Sequence, residues 1–209
     1  DVAAVLSSMM DLMNELSARR SYFGMLEGLS GGLFGLLVYV SLARVMTLEG
    51  YGELSAARGV LWIAEVLCAM GMGAVGIKIY RARPGPRNHM IARGFHRRAP
   101  LLILAVSGIA FPALIGLHSL VASQSVVGLL PFAVIIAALP LLCLLTFFAS
   151  CAAAHGAGVW SNAISQWGFR GLILAGLAVV LLQFDRPISV LQAAAVWGFA
   201  ALVTVLALW

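Results

Sequence analysis

Apolar residues in this chain come in long unbroken runs, not in the short alternations of a strand or the single stripe of a surface helix. Six runs lie near the ~20 residues that a helix needs to cross a bilayer. They fall at about 22–43, 55–77, 99–117, 126–148, 163–183 and 188–209. The opening segment, 1–21, differs. Val2, Val5, Leu6, Met9, Leu12, Met13 and Leu16 recur at helical spacing, Asp11, Asn14, Glu15 and Ser17 take the other faces, and Arg19-Arg20 follow. That pattern predicts an amphipathic helix lying along the membrane interface, or packed on another domain. The expected fold class is all-α integral membrane: an interfacial helix over 1–21, then a six-helix transmembrane lobe over 22–209.

Composition agrees. The chain is 62% hydrophobic and only 10% charged, against about a quarter charged in a soluble domain. A fold of 209 residues cannot hide so much apolar surface from water, so lipid is its solvent. Of the 13 Lys and Arg residues, seven stand between Lys78 and Arg98. Such a run between two apolar segments marks the cytoplasmic side, and anionic headgroups explain the net charge of +5 better than nucleic acid does. Pro84, Gly85 and Pro86 mark it as a turn. Counting outward places the N-terminus and the 78–98 loop inside and the 44–54 turn outside. Arg19-Arg20 agree, whereas Arg44 and Arg186 sit on the opposite side beside acidic neighbours. The three cysteines, Cys68, Cys143 and Cys151, lack CxxC spacing and read as small packing residues. A chain that starts at Asp1 and stops inside an apolar run reads as part of a longer protein.

Gly24/Gly28, Gly28/Gly32 and Gly31/Gly35 in the first span form GxxxG pairs, which predict close helix packing in lipid. Pro131 and Pro140 should bend or break the fourth span. Gly71–Gly76 matches GxGxxG, but no strand precedes it and no acidic residue follows at the required distance, so helix packing explains it better than a dinucleotide does. Serine hydrolysis fares no better. Ser30-Gly31 and Ser107-Gly108 lack the flanking glycines, and His118 and His155 fall on opposite faces. No metal-ligand spacing occurs, and the chain does not read as an enzyme.

Charges inside the spans are the informative residues, because an ionised side chain in hydrocarbon normally faces a cavity or a partner. Glu65 lies mid-way along the second span, with Arg58 seven positions earlier. They share a helix face about 10 Å apart, too far to pair directly but suited to one polar stripe. Glu27 in the first span and Arg170 in the fifth enter from the same side to similar depth. Either they form a bridge that only holds helices together, or the four residues line an aqueous cavity. Such a cavity would offer positive charge to an anionic substrate and a carboxylate that takes up a proton or Na⁺.

Leu42-Ala43-Arg44, then Tyr51-Gly52, then Gly71-Met72-Gly73 and the basic run follow one another in order, and Ala152–Gly158 lead to Arg170. This layout resembles the polysaccharide (O-antigen and exopolysaccharide) flippase family of the multidrug/oligosaccharidyl-lipid/polysaccharide exporter superfamily. It departs at Thr47-Leu48, where that family tends to have Gly-Pro. The resemblance implies twelve to fourteen helices in two similar lobes around a central cavity, with these six spans as the N-terminal lobe. It implies translocation of an undecaprenyl-pyrophosphate-linked glycan across the bacterial inner membrane by alternating access, coupled to H⁺ or Na⁺. Arg170 would draw in the pyrophosphate, Arg58 would receive it nearer the outer face, and Glu65 and Glu27 would exchange the ion. Other polysaccharide-assembly membrane proteins would be partners. A multidrug or small-cation exporter of the same superfamily is the first alternative, and a membrane-embedded glycan-processing enzyme the second.

Overall fold

The computed structural model describes residues 29–81, 86–121, 128–154, 160–161, 163–183 and 187–208, and among them every regular element is helical. In chain order these are α1 (Leu29–Val45), α2 (Leu48–Ala69), α3 (Met72–Arg81), α4 (Pro86–Val121), α5 (Leu129–Ile136), α6 (Leu139–Ala152), α7 (Ala163–Gln183) and α8 (Val190–Leu208). The interfacial helix expected over 1–21 and the residue Glu27 lie outside the described residues.

Four helices are long and apolar enough to cross a membrane: Met90–Leu120 within α4, Leu129–Ala152 (α5 and α6 together), α7 and α8. α2 and α3 pass the same test only as a pair bent by 43°, which makes five. α1 is apolar but shows 17 described residues. The expectation of six continuous spans is therefore met in coarser form, by four to five among the described residues.

Two sequence expectations are corrected. The second span was expected to run unbroken over 55–77. Instead α2 ends at a left-handed cap, Met70 at φ 46°, followed by Gly71 at φ 66°. Two successive left-handed residues cannot continue a right-handed helix. The basic segment 78–98 was expected to be a turn marked by Pro84, Gly85 and Pro86. Its flanks are instead helical, α3 continuing to Arg81 and α4 starting at Pro86, while 82–85 lie outside the described residues. Arg, Lys and His are compatible with helix, and proline at a first helical position gives up no hydrogen bond. Basic residues therefore extend both helices beyond the apolar runs, on either side of 82–85.

Other boundaries follow local chemistry. Thr47 caps α2, its Oγ1 accepting from the Gly50 amide at 3.1 Å. Ser189 and Gln192 make a reciprocal capping box at α8: the Ser189 amide donates to Gln192 Oε1 at 2.9 Å and the Gln192 amide to Ser189 Oγ at 3.2 Å. The fourth span is interrupted at Ala137-Ala138, and Pro140 sits in the first turn of α6, where its missing N–H costs least. The interruption expected from Pro140 is thus present, whereas Pro131 simply falls in the first turn of α5.

The core is built around α6. Leu139, Cys143 and Phe147 are almost fully buried in a helix that packs against α2, α3, α4 and α8, and Phe147 meets Phe95 of α4 with ring centres 5.8 Å apart. Small residues permit this closeness, as expected where lipid supplies no hydrophobic drive between helices. A Cβ on Gly73 of α3 would come within 2.6 Å of Ser150 Oγ, and one on Gly176 of α7 within 2.6 Å of Val196 in α8. Gly76 meets Cys151 and Phe95 at 3.3 Å. Of the GxGxxG residues, Gly73 and Gly76 thus serve close packing, while Gly71 serves the bend. The three cysteines are in no disulfide and all are buried, consistent with packing.

A candidate anion-accepting cavity between α1, α2, α6, α7 and α8

The backbone amide of Ile188 donates to the carbonyl of Val45 at 2.9 Å, tying the start of α8 to the end of α1 and hence to the start of α2. Measured along α2 from that end, Arg58 lies about 15 Å in and Glu65 about 25 Å in, at 1.5 Å per residue. Both line a cavity of 520 Å³, and Arg170 of α7 lines it with them. A second cavity of 450 Å³ shares Arg58 and Glu65 with the first. Three of the four charged residues singled out from the sequence therefore share one cavity, and the fourth, Glu27, lies outside the described residues.

The three make different contacts. The Arg58 guanidinium carbon sits 4.0 Å from the Trp197 ring centre and 4.6 Å from that of Tyr39. Aromatic faces attract a guanidinium by about 0.5–2 kcal/mol each, more where water is excluded. Trp197 is held edge-on by Phe169, with ring centres 6.1 Å apart. Glu65 Oε1 accepts from Thr146 Oγ1 of α6 at 2.5 Å. With Arg58 on the rings and Glu65 on Thr146, the two do not pair across their seven-residue separation, as the spacing predicts.

Arg170 is the residue left over. Its Nη1 is buried and finds no hydrogen-bond partner among the described residues. It fits because α1 presents glycine there: a Cβ on Gly31 would lie 3.3 Å from Nη1, and one on Gly35 3.5 Å from the guanidinium. These glycines were expected to let two helix backbones meet. They instead make room for a long cation, and Gly32 of the same series has nothing within 4 Å of its Cβ position. Just before Arg170, α7 is wound as a π-helix over Ala163–Gly168, a form that recurs at functional sites. Here it carries Gln166 to the cavity, and Trp167 donates from Nε1 to Ser30 Oγ of α1 at 3.0 Å.

Sequence reasoning missed the aromatic side chains Tyr39, Trp62 and Trp197, together with Thr146, which complete the lining. Only Trp62, four residues after Arg58 and three before Glu65, carried a signal in its spacing. Of the hydrolase candidates, Ser107 and His118 stay apart from this cavity, and His155 lies outside the described residues. Ser107 donates its hydroxyl to the Ile103 carbonyl of its own helix at 2.7 Å, and His118 stacks on Phe132 at 4.2 Å. Among the described residues no three His, Cys, Asp or Glu side chains gather as metal ligands.

Chemically, the cavity combines one satisfied cation, one satisfied carboxylate and one cation with open donor capacity. Such a set suits a ligand that brings its own negative charge. Comparison of the chain with protein-family models, curated proteins and solved structures finds no match among any of them.

Proposed function

We propose that this chain is the N-terminal lobe of a two-lobe inner-membrane transporter that moves an undecaprenyl-pyrophosphate-linked oligosaccharide from one leaflet to the other by alternating access. The observation that carries it is Arg170: its side chain lines a cavity between otherwise apolar helices, and its buried Nη1 has no hydrogen-bond partner among the described residues. A pyrophosphate supplies the acceptors that this guanidinium lacks. In this reading the first apolar segment completes a sixth span, and the N-terminus and basic stretch 78–98 lie on the cytoplasmic side. Arg170 takes the headgroup first, and Arg58 receives it nearer the other face. Glu65, joined by Glu27, takes up H⁺ or Na⁺ as the cavity resets. The transporter works beside other polysaccharide-assembly membrane proteins.

A small-cation exporter of the same architecture is disfavoured by the same contacts. The aromatic faces of Tyr39 and Trp197 that would receive an organic cation already hold Arg58. Export of the lipid-linked glycan, followed in cells carrying Arg170→Gln, tests the proposal. Export should fall steeply while the protein accumulates normally. Undiminished export removes Arg170 from the mechanism, and sensitivity to cationic dyes on loss of the protein favours the cation exporter.

A further inference from the structure

Of the four cavity aromatics, Tyr39 and Trp197 hold Arg58 and Phe169 lies edge-on to Trp197, whereas Trp62 takes no part in that group. It lines both cavities, yet 68% of its surface is open. Among the described residues no other ring and no cation meets it, in contrast to Tyr39 and Trp197 under Arg58. Its depth is unusual too. Fourteen residues into α2 it lies about 21 Å from the Leu48 end, and the bend at Met70 is about 12 Å further on. Membrane tryptophans that serve as anchors gather at the interfaces instead.

The surroundings are mixed in a particular way. Arg58 precedes Trp62 by one turn and Glu65 follows by one turn, so all three share a face of α2. Across the cavity stand Thr146, Ser150 and Gln166. Thr146 holds only Oε1 of Glu65, which leaves the second carboxylate oxygen able to accept from a ligand hydroxyl. An open indole beside a carboxylate, an amide and hydroxyls matches a ligand with a C–H face and a rim of hydroxyls. A sugar ring has that chemistry, and a prenyl chain or a bare phosphate does not. The volume, 520 Å³, lies within the range of small-ligand pockets.

We infer that Trp62 is the stacking platform for the sugar nearest the pyrophosphate, and that with Glu65 it sets sugar dependence while Arg170 sets anion dependence. This rests on the translocation reading and divides its site into two parts. The sugar-binding part accounts for an exposed aromatic at mid-depth that pyrophosphate binding alone leaves unused.

The test uses the full chain in lipid nanodiscs with two soluble probes, farnesyl pyrophosphate and farnesyl pyrophosphate carrying a disaccharide. In the unaltered protein the disaccharide should raise affinity about tenfold, the scale of a well-placed aromatic contact plus a hydrogen bond. Trp62→Ala should bring the two probes to within about twofold of each other while farnesyl pyrophosphate binds as before. Trp62→Phe, which keeps a ring, should restore part of the difference. Arg170→Gln should weaken both probes by the same factor. Equal binding of the two probes to the unaltered protein, with Arg170 still required, overturns the sugar platform and leaves the translocation reading standing. A Trp62→Ala loss that is equal for both probes also overturns it, since the indole then holds the prenyl chain. Failure of both probes to bind, or indifference to Arg170→Gln, overturns both.

Discussion

The two arginine ends of the cavity carry the same charge and treat it in opposite ways. At the Arg58 end, α1 and α8 supply aromatic faces, and the guanidinium rests on Tyr39 and Trp197. At the Arg170 end, α1 supplies glycine, the guanidinium has space, and Nη1 has no partner among the described residues. The first arrangement stabilises a cation in the resting protein. The second leaves its stabilisation to whatever enters. The lesson is that a buried cation is not by itself a binding site, because what the neighbouring helix offers decides whether the charge belongs to the fold or to a ligand.

The largest expected effect breaks the Arg58 end. Trp197 is 8% exposed and its ring lies against both Arg58 and Phe169. Trp197→Ala should cost about 3 kcal/mol or more of stability, through a core void and a cation deprived of its ring. Unfolding in detergent, compared with Trp197→Phe, measures it. Next, Arg170→Gln should leave unfolding nearly unchanged but weaken farnesyl pyrophosphate binding by roughly a hundredfold, the scale of a lost charge-assisted contact. A fall in stability as large as that of Trp197→Ala would show that the two ends are alike.

Smaller changes sharpen the contrast. Gly35→Val should crowd the guanidinium and reduce the same binding by about tenfold, whereas Gly35→Ala, whose Cβ meets Arg170 at an ordinary 3.5 Å, should change it less than about twofold. The alanine variant should also gain up to about 1 kcal/mol from helix propensity. Arg58→Lys keeps the charge but loses the planar group that lies over two rings, and should cost about 1 kcal/mol with little effect on pyrophosphate affinity.

How much of this was legible in the sequence follows from what each signal depends on. Hydropathy places the fifth span at 163–183, where α7 is found, and the sixth within two residues of α8, because those helices end where apolar character ends. The third, at 99–117, falls inside α4, but hydropathy does not show how far the helix runs on through residues that are polar and helix-compatible. The seven-residue spacing of Arg58 and Glu65 put both on one face, and both line one cavity. The partners of those charges were not legible. Tyr39 and Trp197 come from α1 and α8, more than a hundred and fifty residues apart, and nothing local links them. Gly31 and Gly35 were visible but ambiguous: the same spacing admits a neighbouring backbone or a neighbouring guanidinium, and only the packed partner distinguishes them.

The 36 residues of α4 make it about 54 Å long, against a hydrocarbon layer of about 30 Å. If α4 crosses a bilayer upright, some four turns stand clear of the oil, and the exposed Arg93, Arg97 and Arg98 belong to its polar N-terminal part. Its positive charges are thus spread at graded heights rather than in one plane. Placed across a bilayer, such an overhang would meet the phosphate layer at several levels and resist being drawn inward.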